Sequence, residues 1–262
     1  MGKKLKKREK STIVRNQLLS TLRKIYLGGA INECVLTIEG GVALAEVVDI
    51  TNNIIVLTKT ASVASKGVSL HVGLGNIETV IKFLGSINTE KIFTEMSEEK
   101  ERLFIGNKNF VRKLSYLTSN PEMISTRLRM DEDDEQDYWD QFTSIPEVTF
   151  ELTKDDAKDL ISYIGLNNSK VVTIDVGDSI VFTIGTNTEH KFSIEISDNF
   201  ENDDEAEFTI KTNGENLAKV LGVVEIDEEE PPVIGLADGY PIVVMEPEVI
   251  WGLTPMEEQE GD

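Results

Sequence analysis

Residues 213–253, NGENLAKVLGVVEIDEEEPPVIGLADGYPIVVMEPEVIWGL, decide the fold class, because a short helical pattern is followed there by several strand patterns. Apolar residues recur at helical spacing over residues 214–221, and Asn213 stands where an N-cap is expected. Three strands are then predicted, at residues 233–237, 242–245 and 249–253. Consecutive strands without a helix between them favour an antiparallel sheet with helices on one face, which is an α+β fold.

The same succession of one helix and several strands recurs through the rest of the chain. Helical spacing is found at residues 15–27, 76–87 and 154–164, the last with Thr153 as N-cap and Gly165 as a stop signal. Further strands are predicted at residues 34–38, 43–49, 54–60, 148–152, 171–176, 180–184, 191–196 and 208–211. No strand is predicted before the first helix. The two helices of each half lie about 60 residues apart, so we predict four β-α-β-β-β units, two in each of two domains.

One stretch, residues 129–146, does not follow this succession. It is acidic, has no clean period, contains Tyr138, Trp139 and Phe142, and ends in Pro146. A segment of this kind between two similar halves is typical of a domain connector. The predicted parts are an N-terminal domain at residues 1–130, a connector at residues 131–146 and a C-terminal domain at residues 147–262.

Charge is distributed unevenly along the chain. The formal net charge of -21 argues against a protein that coats nucleic acid with its whole surface, because phosphate binding depends on Lys and Arg. Six basic residues crowd the first ten positions, a basic N-terminal extension. Acidic residues cluster at residues 131–137, 198–207 and 225–230 and in the tail, residues 257–262. Such runs are typical of solvated loops and termini.

The residue types needed for metal or nucleophilic chemistry are scarce. A single cysteine, Cys34, excludes an internal disulfide, and the two histidines, His71 and His190, are too few for a zinc cluster. Cys34 lies in an apolar stretch, which favours a packed thiol over a nucleophile. No apolar run approaches the roughly 20 residues that span a bilayer. We expect no metal, no cofactor and no membrane span.

No motif of a catalytic site is complete. Gly73-Leu74-Gly75 precedes a helix, but Glu78 stands where the third glycine of a dinucleotide-binding loop belongs. There is no P-loop and no HExxH pattern, and residues 131–136 lack the glycine of a calcium-binding loop. The carboxylates lie in charge runs rather than in apolar pockets that would tune a general acid. We therefore predict a protein that is not an enzyme.

Three short pieces of sequence resemble, in order, the sliding clamps of the proliferating cell nuclear antigen type. They are residues 39–43 followed by 47–49 (EGGVA and VVD), residues 236–244 (LADGYPIVV), and residues 253–255 (LTP) followed by the acidic tail. The resemblance covers nearly the whole chain as topology, but only these pieces as sequence. The basic extension and the divergent first helix depart from cellular clamps and resemble viral or phage clamps more.

The resemblance implies a toroidal clamp, a homotrimer whose helices line a hole and whose sheets form the outer wall. Such a ring encircles duplex DNA, contacts phosphates without reading bases, and tethers a polymerase as a processivity factor. An acidic exterior with basic residues confined to a few helices suits sliding on DNA. The DNA-binding residues implied are Arg15, Arg23 and Lys24 on the first helix, Lys82 on the second, Lys154 and Lys158 on the third, and Lys211 and Lys219 at the fourth.

The resemblance also implies a pocket for short peptides of partner proteins, including the polymerase and a clamp loader. Its lining, carried over by position, comprises Val48, Ile54, Tyr138, Trp139, Phe142, Ile145, Pro241, Leu253 and Pro255. An alternative is that Trp139 and Phe142 only pin the connector to the sheet. A viral clamp would act inside the host cell, in the cytoplasm of a prokaryote or the nucleus of a eukaryote.

Other functions are compatible with the sequence. A virion assembly protein of duplicated β-rich domains would also assemble, without needing to close into a trimer. An acidic mimic of DNA would space its carboxylates along one face, whereas here they cluster in predicted loops. A clamp that couples transcription to replication is a further alternative. Basic side chains opposite the apolar stripe of the helices favour the clamp, and Lys158 meets this requirement.

Overall fold

The structure, a computed structural model, describes residues 11–65, 67–109, 111–126, 138–167, 170–185, 190–196, 200–202 and 205–256. The basic extension, connector residues 131–137 and the acidic tail therefore lie outside the described residues.

The described elements follow one another as four repeats. The first repeat contains β1 (Ser11–Val14), α1 (Arg15–Tyr26), β2 (Cys34–Glu39), β3 (Val42–Val48) and β4 (Ile54–Thr60). The second contains β5 (Leu70–Leu74), α2 (Ile77–Ser86), β6 (Lys91–Met96), β7 (Arg102–Gly106) and β8 (Lys113–Leu117). After a short helix, α3 (Tyr138–Ser144), the third contains β9 (Val148–Glu151), α4 (Lys154–Asn167), β10 (Val171–Val176), β11 (Ile180–Ile184) and β12 (Phe192–Ile196). A two-residue strand, β13 (Phe200–Glu201), precedes the fourth, which contains β14 (Phe208–Asn213), α5 (Gly214–Leu221), β15 (Val233–Leu236), β16 (Ile242–Glu246) and β17 (Val249–Leu253). This order confirms the four predicted β-α-β-β-β units.

The first compact unit, Met1–Val47 with Thr58–Arg127, is built from two repeats that exchange their first strands. Strand β1 of the first repeat pairs antiparallel with β6, and β5 of the second repeat pairs antiparallel with β2. The resulting strand orders are β1-β6-β7-β8 and β4-β3-β2-β5. The exchange ties the repeats together, because each repeat contributes its first strand to the sheet of the other.

The second compact unit, Val48–Leu57 with Leu128–Asp262, contains the same exchange. Strand β9 pairs with β15 of the fourth repeat, and β14 pairs with β10 of the third. The strand orders are β12-β11-β10-β14 and β13-β9-β15-β16-β17, and the residues of β4 that belong to this unit lie beside β17. These antiparallel sheets, with helices packed on them, confirm the α+β class.

Each pair of helices buries its apolar stripe. In the first unit α1 packs against α2, and Leu22 and Ile25 are fully buried. In the second unit α4 packs against α5, and Leu160 and Val220 are fully buried. Both predicted N-caps form, because Thr153 Oγ1 accepts from the Asp156 N–H at 3.1 Å and the Asn213 side chain accepts from the Asn216 N–H at 3.1 Å.

Several elements correct the sequence prediction. Strand β1 directly precedes α1, where the sequence predicts no strand, and its Ile13 is fully buried. Helix α4 does not stop at Gly165 but continues to Asn167, whose side-chain amide donates to the carbonyls of Ile184 at 3.3 Å and His190 at 2.8 Å. Those two bonds hold the last turn and offset the low helix propensity of glycine. Helix α3 lies within the predicted connector, and the prediction gave no bounds for β5 to β8.

The single cysteine is a packed thiol, as predicted. Cys34 is 0% exposed, and burial raises the pKa of its thiol from 9.0 to about 12, with a smaller contribution from the Glu33 carboxylate. A thiol with this pKa stays protonated at neutral pH, and the protonated form is not the nucleophile. Among the described residues, no group of three His, Cys, Asp or Glu side chains is placed to hold a metal ion. No helix in the same part of the chain is long and apolar enough to cross a membrane.

Candidate functional site

The helix pair of the first unit carries an excess of basic side chains. Helix α1 contains Arg15, Arg23 and Lys24 and no acidic residue. Arg23 is exposed and Lys24 is half-buried in the last turn. Arg15 connects the two helices, because its Nε donates to the Leu84 carbonyl of α2 at 2.7 Å. This helix therefore presents positive charge without neighbouring carboxylates of its own.

The one basic residue of α2 is paired within its own helix. Lys82 Nζ lies 2.7 Å from Glu78 Oε1, one turn earlier, and its side chain is 71% exposed. The hydrogen bond and negative charge of Glu78 raise the pKa of Lys82. The pair is close to neutral as a unit, so most of the local positive charge comes from α1.

The helix pair of the second unit is differently charged. On α4, Lys154 and Lys158 are exposed, but Asp155 and Asp159 are exposed beside them. On α5, the single lysine pairs with the single glutamate of the helix, Lys219 Nζ to Glu215 Oε1 at 2.7 Å. The hydrogen bond and charge of Lys219 lower the pKa of Glu215. The predicted basic residues of this unit are thus mixed with carboxylates.

Lys211 is not placed with the other predicted basic residues. It belongs to strand β14 rather than to a helix, between Ile210 and Thr212, which are both buried. Because side chains alternate along a strand, Lys211 points to the opposite face of the sheet from these two. There it lines a shallow pocket with Lys191 and Asp175. Its place in a strand agrees with the strand predicted at residues 208–211, and it directly precedes α5 in the sequence.

The predicted peptide-binding residues lie in the second unit, but they do not share one exposed surface. Ile54 is 0% and Leu253 is 1% exposed, so neither offers surface to a ligand. Val48, Pro241 and Pro255 are partly exposed. The remaining four of the nine, Tyr138, Trp139, Phe142 and Ile145, lie at the end of the predicted connector.

A rigid turn stands next to the C-terminal strand. The buried Asp49 carboxylate accepts backbone N–H groups of Asn53 at 2.6 Å and Ile54 at 2.8 Å through Oδ1. The turn presents Ile50 with 81% of its surface exposed. Beyond β17, Thr254 donates from its N–H to the Asn53 carbonyl at 3.0 Å. Sequence analysis missed Ile50, although an apolar residue at the tip of an Asp-to-Asn turn is a recognisable signal.

Helix α3 packs on the sheet of the second unit through an aromatic ring. Phe142 is 6% exposed and joins a buried cluster with Leu57, Val243 and Ile250. Partly buried residues packed against this cluster are Ile55, Tyr138, Trp139 and Met245. Ile145, just beyond α3, is half-buried. For Phe142 the structure matches the alternative interpretation, in which the ring pins the connector to the sheet.

Strands β8 and β12 each lie at one end of a four-stranded sheet, with β1 and β14 at the other ends. Strand β8 ends the order β1-β6-β7-β8, and β12 ends the order β12-β11-β10-β14. Leu117 on β8 is 63% exposed, and Arg112 and Lys113 at its start are exposed. Glu195 on β12 is also exposed. The free edge of a terminal strand can pair with a strand of another chain.

Comparison with known proteins identifies the fold. No protein-family model matches the sequence, and no curated protein matches it. A structure described as the C-terminal region of FEN-1 bound to A. fulgidus PCNA matches with a TM-score of 0.72 and 14% identity, covering 96% of this chain and 99% of that one. Proliferating Cellular Nuclear Antigen from Entamoeba histolytica matches with a TM-score of 0.72 and 9% identity, over 95% and 98% of the two chains. The chain therefore has the clamp fold that the sequence resemblance implied.

Proposed function

We propose that this protein is a DNA sliding clamp, a ring that encircles duplex DNA and tethers a polymerase and other replication proteins to it. The observation that carries the proposal is the match of four β-α-β-β-β repeats to PCNA structures over nearly the whole chain. In this proposal the domains are residues 1–130 and 147–262, joined by residues 131–146. The protein has no catalytic role, and its contribution is to keep a partner at high effective concentration on DNA.

The charge of α1 supports contact with DNA. A clamp must bind phosphates without contacting base edges, since base contacts would stop it at one sequence. Arg23 and Lys24 lie on a helix with no acidic residue, and the net charge of the chain is -21, so positive potential is local. We propose Arg15, Arg23 and Lys24 as the principal phosphate contacts, with Lys82, Lys154, Lys158 and Lys219 as weaker ones.

The open edges of β8 and β12 support ring closure. A head-to-tail contact that joins the β8 edge of one subunit to the β12 edge of the next is heterologous, and three copies can close it into a homotrimer. Leu117 on β8 is 63% exposed, so an apolar side chain is available for such a contact. Main-chain hydrogen bonds would supply much of the contact, as in other strand additions.

Partner binding is proposed for the second unit. One of the matching structures is a PCNA with the C-terminal region of FEN-1 bound to it, so this fold accepts a segment of another replication protein. We propose that a polymerase and a clamp loader bind here through short peptides. The surface offered includes Val48, Ile50, Pro241 and Pro255 around the Asp49 turn and the end of β17.

The solution mass tests ring closure. Light scattering of a closed homotrimer gives three times the 29.2 kDa of one chain, about 88 kDa, over a wide concentration range. Leu117→Glu places a charge on the exposed β8 edge and is expected to lower the mass towards that of a monomer. Leu44→Glu, a substitution of the same kind on the partly exposed face of β3, is the control and should keep the trimer mass. A large open polymer would favour a virion assembly protein instead.

A further inference from the structure

One face of the sheet in the second unit contains a trough floored by glycine. Gly235 of β15 pairs with Val243 of β16, and Val243 pairs with Gly252 of β17, so the three residues form one row across three strands. Both glycines are buried. Trp251, the neighbour of Gly252, is fully buried and points to the other face of the sheet, since strand side chains alternate. The row therefore lies on the face of the sheet opposite to Trp251, the face that Phe142 of α3 covers.

The connector segment fills this trough. A Cβ added to Gly252 would lie 2.4 Å from Cε1 of Phe142, and a Cβ added to Gly235 would lie 2.5 Å from Cγ of Pro146. Real Cβ contacts are not this short, so any side chain at either position would displace the ring above it. The rings of Phe142 and Pro146 lie this close to the sheet only because these two positions lack side chains.

The occupant of the trough has the chemistry of a short peptide ligand. Helix α3 has seven residues, and it buries one aromatic anchor, Phe142, between Leu57, Val243 and Ile250. Tyr138 and Trp139 flank the anchor and are half-buried. Its Ile145 N–H and Thr143 hydroxyl bond back to carbonyls of the same segment, Gln141 at 3.1 Å and Trp139 at 3.0 Å. A short helix with one aromatic anchor in an apolar groove is a recurring form of peptide recognition.

We propose that α3 is an internal occupant of a peptide-binding groove, and that a partner peptide binds by placing its own aromatic side chain over Gly252 in place of Phe142. This inference rests on the proposed function only for the class of partner, a replication protein with a short aromatic-anchored segment. The groove itself is defined by the glycine row and by the cluster around Phe142. Partner affinity is then set by two terms, the fit of the peptide and the fraction of chains in which α3 has left the trough.

Removing the internal anchor while keeping the groove is the direct test. The probe is a fluorescent synthetic peptide of residues 138–146, YWDQFTSIP, and the control peptide has alanine at the position of Phe142. Phe142→Ala removes the ring and leaves the glycine row intact. We expect this variant to bind the probe at least about tenfold more tightly than the unaltered chain, because more chains have an open groove. The control peptide should not bind either protein.

A second variant and a second measurement keep the test decisive. Gly252→Ala also expels Phe142, but its new methyl group occupies the trough, so it should not gain affinity for the probe. In the unaltered chain, saturating probe should reduce the hydrogen-exchange protection of the Ile145 amide, because α3 is displaced. Equal binding to all three proteins, or an Ile145 amide that stays protected at every probe concentration, would overturn the proposal. None of these readouts needs DNA or a trimer, so failure here is distinct from failure of the clamp proposal.

Discussion

The two helix pairs of the molecule share one topology and differ in charge. In the first unit, α1 has three basic residues and no acidic one, and α2 has one of each. In the second unit, α4 has two basic and three acidic residues, and α5 has one of each. The apolar stripes that set the fold are similar in both pairs, whereas the solvent faces are free to differ. In the proposed function, the fold alone does not say which helices contact DNA, and the difference in charge favours α1.

Charge reversal on α1 should have the largest effect on DNA binding. Arg23→Glu with Lys24→Glu replaces two positive charges in the last turn of α1 by two negative ones. This double variant should weaken binding to duplex DNA on the order of a hundredfold at low salt. The matched variant is Lys154→Glu with Lys158→Glu on α4, which should weaken binding only severalfold. Fluorescence anisotropy with a labelled duplex measures both, and the solution mass checks that assembly is unchanged. Equal losses would mean that the charge difference between the pairs has no role.

The first residue of α1 should contribute more to the free energy of unfolding than the first residue of α4. Arg15 begins α1 and donates to the Leu84 carbonyl of α2, whereas Lys154 begins α4 and is exposed. Arg15→Ala should therefore reduce the free energy of unfolding by about 2 kcal/mol, the usual cost of losing a charged hydrogen bond in a partly buried place. Lys154→Ala should change it by less than about 0.5 kcal/mol. Urea denaturation provides both values, and a larger loss for Lys154→Ala would contradict this assignment.

Neutralising carboxylates on α4 should make the second pair more like the first. Asp155→Asn with Asp159→Asn leaves the Thr153 cap and its partner Asp156 in place. Removing two negative charges beside Lys154 and Lys158 should strengthen DNA binding about threefold at low salt, and the gain should vanish at high salt. A salt titration of the anisotropy experiment measures this. No gain at any salt concentration would show that α4 does not approach DNA.

The smallest expected effect concerns the ion pair within α5, Lys219 with Glu215, which has the same i, i+4 spacing as the pair within α2. Lys219 lowers the pKa of Glu215, so the ionised carboxylate is favoured in the folded state. Its contribution is present above the pKa of the unfolded chain and is lost as the pH falls through the lower, folded pKa. In Lys219→Ala the pKa of Glu215 should rise, which carbon-13 NMR of the carboxyl group can follow. An unchanged titration would show that the pair is not formed in solution.

The sequence predicted the helices of the four repeats, and the strands outside β1, β5 to β8 and β13, because their signals are local. Helices at 3.6-residue spacing and strands with alternating or continuous apolar residues are visible within short windows, and the Thr153 and Asn213 caps were found in the same way. Strand β1 was missed because its four residues directly adjoin both the basic extension and α1. Its partner strand, β6, lies about 80 residues later in the sequence, and no local pattern indicates such a pairing.

The candidate sites depended on information that a single sequence does not contain. The strand that contains Lys211 was predicted, but the sequence did not show which face of the sheet this side chain occupies. Gly235 and Gly252 read as ordinary strand glycines, and their role is visible only once Pro146 and Phe142 lie above them. The open edges of β8 and β12 are likewise products of strand order. Sites built by tertiary contacts between distant segments are the part that the sequence alone did not show.

Topological retention on DNA tests the central claim most directly. Rings threaded over the free ends of a linear duplex can be trapped by blocking both ends with biotin and streptavidin, and then washed at high salt. We expect the protein to stay on the blocked duplex and to be released when a restriction enzyme opens one end, because a closed ring is held by topology rather than by phosphate contacts. Equal loss from blocked and opened duplexes, or equal retention on both, would contradict a sliding clamp.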